Sequence, residues 1–148
     1  MDAEQFLRRM SASQDRFEQV LVTVRPELRD FSPAAGYRTI GQQLAHLLAS
    51  RHNIMTGLRS GEFPWNDGEA AMNALFAAEL PSALRRLYGE IRDTVASATP
   101  EWFEDRPDRY ALTREEWLWE LLEHENYHLG QLNLSIRLAG GEPAAVFG

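Results

Sequence analysis

The chain has 148 residues and a formal net charge of −7, from 22 acidic against 15 basic side chains. One domain spanning residues 1–148 is the expectation, large enough to remove roughly 70% of its unfolded surface from water. With no cysteine, disulfides, thiolate metal sites, iron–sulfur clusters and a cysteine nucleophile are excluded, and any thiol chemistry must use a thiol from a second molecule.

The acidic balance offers no basic stripe for nucleic acid. The start, MDAEQFLRRM, is not that of a signal peptide, and nowhere do 18 apolar residues run together, so a soluble, cytoplasmic protein with no membrane partner is expected.

From Asp2 to about Arg25, the apolar residues Phe6, Met10, Phe17, Val20, Leu21 and Val24 fall at helical spacing, which predicts a first helix closed near Pro26. The stretch Pro26 to Tyr37 carries two prolines and a glycine and has no period. It reads as a connection long enough to cross one end of a bundle. Thr39, with Gln42 three residues on, opens a second helix whose stripe of Ile40, Leu44, Leu47, Leu48, Ile54, Met55 and Leu58 runs to Gly61. His46 lies on it, beside Gln43, Ser50, Asn53 and Gly57, neighbours that suit a wet cavity wall and a solvated surface equally.

Gly61 to Gly68 is a turn-rich connection whose Trp65 either lines a pocket or plugs one end of the core. Ala70 to Glu79 reads as a short helix that Pro81 breaks or restarts. Leu84, Leu87, Tyr88, Ile91 and Val95 then mark a third main helix ending near Thr99 and Pro100. Trp102 to Leu112 reads as a charged connection containing Pro107.

The last helix, Thr113 to Gly140, is the best marked of all. Thr113 and Glu116 form a capping box at its start, and Gly140, Gly141 and Pro143 supply the stop. With no alternating strand pattern and no internal repeat, four helices of comparable length predict an all-α four-helix bundle.

Two histidines, His124 and His128, stand one turn apart on this last helix, about 40° from each other around its axis. With His46 they supply three imidazoles, the number that leaves a tetrahedral ion one open position. His52, six residues from His46 and about 120° around the helix, is a poor candidate for the same ion. The bland alternative is a satisfied core histidine beside a chance neighbour.

HENYH also matches the H-E-x-x-H protease signature, which would make Glu125 a general base. Only 20 residues follow His128, and the extended form of the motif fails because Gly130 comes one place early. Glu125 and His128 form an E-x-x-H pair of the di-iron kind as well, yet Thr39 to Gly61 contains no acidic residue to complete such a centre. A mononuclear site is the better fit.

Three stretches, FSPAAGYRTIGQQLAHLL entering the second helix, HENYHLGQL on the last, and the closing IRLAGGEP, resemble the DinB/YfiT-like superfamily of metal-dependent bundles over nearly the whole chain. The resemblance implies a bundle that is a mirror variant of up-and-down topology, a homodimer, and one divalent metal held at His46, His124 and His128. Zinc and nickel come first, with iron and manganese as further candidates. It also implies a role of the kind known for relatives that use bacillithiol, mycothiol or glutathione: a metal-dependent thiol transferase, or a stress-response bundle without catalysis. The chain departs from the family in one respect, carrying Leu129 where arginine often precedes Gly-Gln. DNA polymerase chemistry, attached to an unrelated protein of similar name, is not implied.

Three functions stay side by side on this reading. One is a thiol transferase acting on a small electrophile, with Gln131 beside a ligand and the Trp65 loop near the substrate. The second is a small-substrate hydrolase with Glu125 or Glu120 as base. The third is a non-catalytic metal-binding or dimerising bundle.

Overall fold

Three of the four long helices begin where a side chain takes over an otherwise unpaired backbone amide. The structure, a computed structural model, describes residues 1–65, 69–107 and 111–146, with only the backbone of 69 and 71–78. Helix α1 spans Ala3–Thr23, and the Asp2 carboxylate accepts from the Gln5 amide at 2.9 Å. Helix α2, Ile40–Ser60, starts on the Thr39–Gln42 capping box and stops at Gly61, whose φ of +78° is one that a residue with a side chain rarely adopts. Helix α3 runs Glu69–Ser97, α4 Pro100–Glu104 and α5 Arg114–Leu138, the last opened by the Thr113–Glu116 box.

Two expectations need correction. Pro81 neither breaks nor restarts a helix, because α3 passes straight through it. A proline inside a helix costs about 3 kcal/mol. Leu80, Leu84 and Leu87 lie on both sides of it and are buried to within 2%, and at about 1.5–3 kcal/mol each they offset that cost. The second correction is in the charged connection, which begins as a helix, α4. Thr99 accepts from the Trp102 amide and Pro100 occupies the first helical position, so the pair that marks the end of one helix also starts the next. The tails of the two connections, 66–68 and 108–110, lie outside the described residues.

Among the described residues there is no strand, and no helix is long and apolar enough to cross a membrane. Helix α4 packs on α5, and among the four long helices the packed pairs are α1 with α3, α3 with α2, α2 with α5 and α5 with α1. They close a ring of four helices in which the consecutive α1 and α2 stand across a diagonal. The long connection after α1 makes that crossing possible. It contains a 3-10 turn at Pro26–Leu28 and folds back on the start of α2, where the Gly41 amide donates to the Arg29 carbonyl and Ile40 to Phe31.

The α2–α5 seam positions the site. Along it Gln43 bonds Ser135, His46 meets His124 and His128, Arg51 meets Glu125, and Arg114 donates to the Leu58 carbonyl. Numbers rise on one helix as they fall on the other, so the two run antiparallel. The core beneath is in two parts. One is built around Phe17, Leu44, Leu84 and Leu132, the other around Phe6, Met55, Ile91 and Leu118. Between them lies a buried polar layer of Ser13, Gln14, Arg51 and Glu125.

Candidate metal centre

The three predicted histidines converge. Ring centroids are 5.0 Å apart for His46 and His124, 4.8 Å for His46 and His128, and 4.4 Å for His124 and His128. His46 Nε2 and His124 Nε2 approach to 3.1 Å. Each ring offers one nitrogen within 4.8 Å of the other two, and all three side chains are half-buried. Nitrogens on a tetrahedral ion at about 2.0–2.1 Å stand roughly 3.4 Å apart, so modest side-chain rotations bring this group to ligating geometry. His52 is exposed and stands outside the group.

Burial keeps the His124 and His128 rings neutral. Burial, helped by the charges of His128 and Arg38 and opposed by that of Glu125, pushes His124 down to about 4. Burial also lowers His128, with Arg38 adding to the effect and a hydrogen bond donated to Gln131 working against it. Neutral imidazole is the form that donates a lone pair to a metal. His124 Nδ1 is buried with no protein partner. Three imidazoles, one with an unsatisfied nitrogen and none accompanied by a carboxylate in the group, fit a divalent metal ion. The group could hold such an ion.

Glu125 is not part of this centre. Its carboxylate is 1% exposed and accepts from Arg51 Nε and Nη2, each at 2.7 Å, and from Ser13 Oγ at 2.6 Å. It points into the polar layer between the two core halves, so the H-E-x-x-H and di-iron readings lose their carboxylate. Glu120 is exposed and also outside the histidine group. Leu129, the departure from the family pattern, is fully buried in the core, so that position faces away from the histidines' seam.

Arg51 was legible as an anomaly. It is fully buried and sits in the stripe of Leu44, Leu47, Leu48, Met55 and Leu58, a charge at a core position that requires a buried partner.

Gln131 hydrogen-bonds His128 and donates to the Tyr127 hydroxyl at 2.9 Å. Gln43 and Asn53, beside His46 on α2, are each only 7% exposed, and Gly57 is buried, so that face is an interior seam. Trp65 stacks on Phe63 at 5.2 Å and lies 5.6 Å from Trp117, near the N-terminal end of α5.

His128 and Gln131 open onto a cleft of about 320 Å³. Its opposite wall comes from the connection before α2, with Pro33, Tyr37 and Arg38, and its floor includes Gln43 and Ser135. Trp65 is not among its lining residues.

An antiparallel helix bundle with three imidazoles gathered across one seam, at the edge of an open cleft, defines a helical protein with a candidate mononuclear histidine site. The chain belongs to the DinB family, matching it over residues 1–147. Its fold is shared with a DinB-like protein from Bacillus cereus, at 19% identity and a TM-score of 0.74 over 97% of each chain. A DinB-like protein from Bacillus subtilis matches at 17% identity and a TM-score of 0.67, covering 96% of this chain and 94% of that one. No curated protein matches the chain.

Proposed function

We propose that this protein is a mononuclear metal-dependent enzyme of the thiol-transferase kind, with His46, His124 and His128 as ligands. The observation that carries the reading is a group of three imidazoles, one of which, His128, lines a small-molecule-sized cleft. A divalent ion there, zinc or nickel in the first place and iron or manganese otherwise, supplies Lewis acidity that lowers the pKa of a bound thiol.

The chain's own part is to hold and orient. Gln131 fixes the His128 ring, the α2–α5 seam sets the distance between the ligands, and the cleft admits a low-molecular-weight thiol and a small electrophile. In the transfer the thiol proton leaves to solvent, the sulfur lone pair forms a carbon–sulfur bond, and the leaving group departs with its bonding electrons. Because the chain contains no cysteine, the sulfur comes from the second molecule.

The hydrolytic alternative is weakened by Glu125, whose carboxylate is committed to Arg51 and Ser13, and by the exposed Glu120. The test is elemental analysis of tag-free protein purified without chelator, beside His124→Ala. We expect about one metal per chain, lost in the variant, and metal-dependent consumption of a thiol with 1-chloro-2,4-dinitrobenzene or another soft electrophile. Metal without thiol turnover across a broad panel would replace the enzyme with a non-catalytic metal-binding bundle. No metal, with none taken up on titration, would remove the centre itself.

A further inference from the structure

The outer face of α5 is apolar where nothing in the chain covers it. Among the large apolar side chains left exposed are Tyr127, Leu134 and Leu138, all on this helix and each more than half exposed. At i, i+7 and i+11 they fall within about 40° of one another around its axis, so they form one stripe rather than scattered singles. Tyr127 is held in place: its hydroxyl accepts from the Gln131 amide at 2.9 Å and its ring packs on His128 at 5.2 Å.

Beside the stripe, in the middle of the helix, stands Gly130. Glycine inside a helix is destabilising relative to alanine, and a Cβ at this position would meet nothing within 4 Å in the chain. Packing within one copy therefore gives no reason for it, whereas the close approach of a second backbone does. Gly89 on α3 is equally open, but its exposed neighbours are Arg85, Arg86 and Arg92, and no apolar stripe runs past it.

Charge decides what the stripe pairs with. Glu123 lies seven residues before Gly130 and Arg137 seven residues after it, each about 10.5 Å along the helix from the glycine and within about 20° of it around the axis. Both are exposed, and neither side chain has an ion-pair or hydrogen-bond partner among the described residues. The face is thus acidic at one end, basic at the other and flat in the middle. A second α5 laid antiparallel across Gly130 sets Arg137 of each copy against Glu123 of the other and brings Leu134 against Tyr127. A parallel arrangement sets like charges together.

We propose that two copies of this chain pair through the outer faces of α5, antiparallel and crossing at Gly130, with Tyr127, Leu134 and Leu138 in the contact and Glu123 and Arg137 as reciprocal ion pairs at its ends. Such a contact is isologous, as a two-fold dimer requires. Leu134 and Leu138 also line the cleft, so the second copy forms part of its rim. The pairing does not depend on the metal centre, since no ligand candidate lies in the contact. One helix face is at the small end of interface sizes, which sets a dissociation constant of micromolar order.

The test is sedimentation velocity on the full chain from about 1 μM to about 200 μM, a range that brackets a micromolar constant, with the fold of each variant checked by circular dichroism. The chain should pass from monomer to dimer over this range, and Leu134→Glu should remain monomeric throughout. Glu123→Arg and Arg137→Glu should each weaken the dimer by about tenfold or more, and the two together should restore it to within about threefold. Gly130→Ala should act with opposite signs, raising the melting temperature of dilute monomer through helix propensity while weakening the dimer.

A monomer at every concentration would overturn the pairing and leave the stripe to a different protein. A dimer indifferent to Leu134→Glu would overturn it as well, by placing the contact on another face. So would a charge-swapped double variant no tighter than the single ones, or a dimer that Gly130→Ala leaves unchanged.

Discussion

Replacing Glu125 by glutamine takes away the carboxylate that neutralises Arg51 inside the bundle. Both residues are buried, at 0% and 1% exposure, and the pair is joined by two parallel hydrogen bonds of 2.7 Å. In the variant one of these donors faces the glutamine oxygen and the other faces its NH2 group, donor against donor. Arg51 Nη1 keeps Gln14 Oε1 at 2.7 Å and the Leu84 carbonyl at 3.3 Å, so the guanidinium remains solvated in part but not neutralised. Breaking one side of a buried pair costs about 3–5 kcal/mol, a large share of the 5–15 kcal/mol that holds a domain together.

At about 2–4 °C per kcal/mol for a chain of this size, the melting temperature should fall by roughly 6–20 °C. The assay is thermal and urea unfolding followed by circular dichroism on chelator-treated protein, so that bound metal does not contribute. The companion is Arg51→Met with Glu125→Leu, which removes both charges and should recover most of the loss. Recovery should be incomplete, because Ser13 Oγ and Gln14 Oε1 each lose a partner. A cost below about 1 kcal/mol for Glu125→Gln, or a double variant no more stable than the single, would refute the account of the polar layer.

Three further outcomes follow from local geometry. The pKa of His124 is about 4 in the folded chain against 6.5 as its ordinary value, so below pH 6.5 the unfolded chain binds a proton that the folded one refuses. The urea midpoint of metal-free protein should therefore fall as the pH drops from about 6.5 to about 4, and His124→Asn should reduce that slope; equal slopes would show that His124 does not titrate this way. A Cβ on Gly57 would lie 2.3 Å from the Phe63 ring, which itself packs on Trp65 and Trp117. Gly57→Ala should cost about 1–3 kcal/mol and shift the tryptophan emission, and unchanged emission would refute the contact. Thr113→Ala removes the side chain that accepts from the Glu116 amide at 3.1 Å and should cost about 1 kcal/mol in urea unfolding; no loss would mean that the cap is replaced by water.

Helix identity was legible in the sequence because its causes are local. The Thr39–Gln42 and Thr113–Glu116 boxes, the Gly61 stop and the apolar stripes each act within a few residues, and all appear in the structure. Misreading occurred where one local signal had two meanings or where distant burial overruled it. Thr99-Pro100 ends one helix and starts another, and Pro81 remains helical because leucines on both sides of it are buried by other helices.

For the site, the sequence determined which donors are available: three histidines at usable spacing and no cysteine. Only the tertiary structure decided that α2 lies antiparallel against α5, which turns His46 toward His124 and His128 and closes the seam over Gln43 and Asn53. The same pairing sends Glu125, one residue from a candidate ligand, into the core to meet Arg51. Helical spacing fixes the angle between side chains on one helix. It carries no information about which face a second helix covers, and that choice is made by burying the two apolar stripes together with the buried ion pair between them.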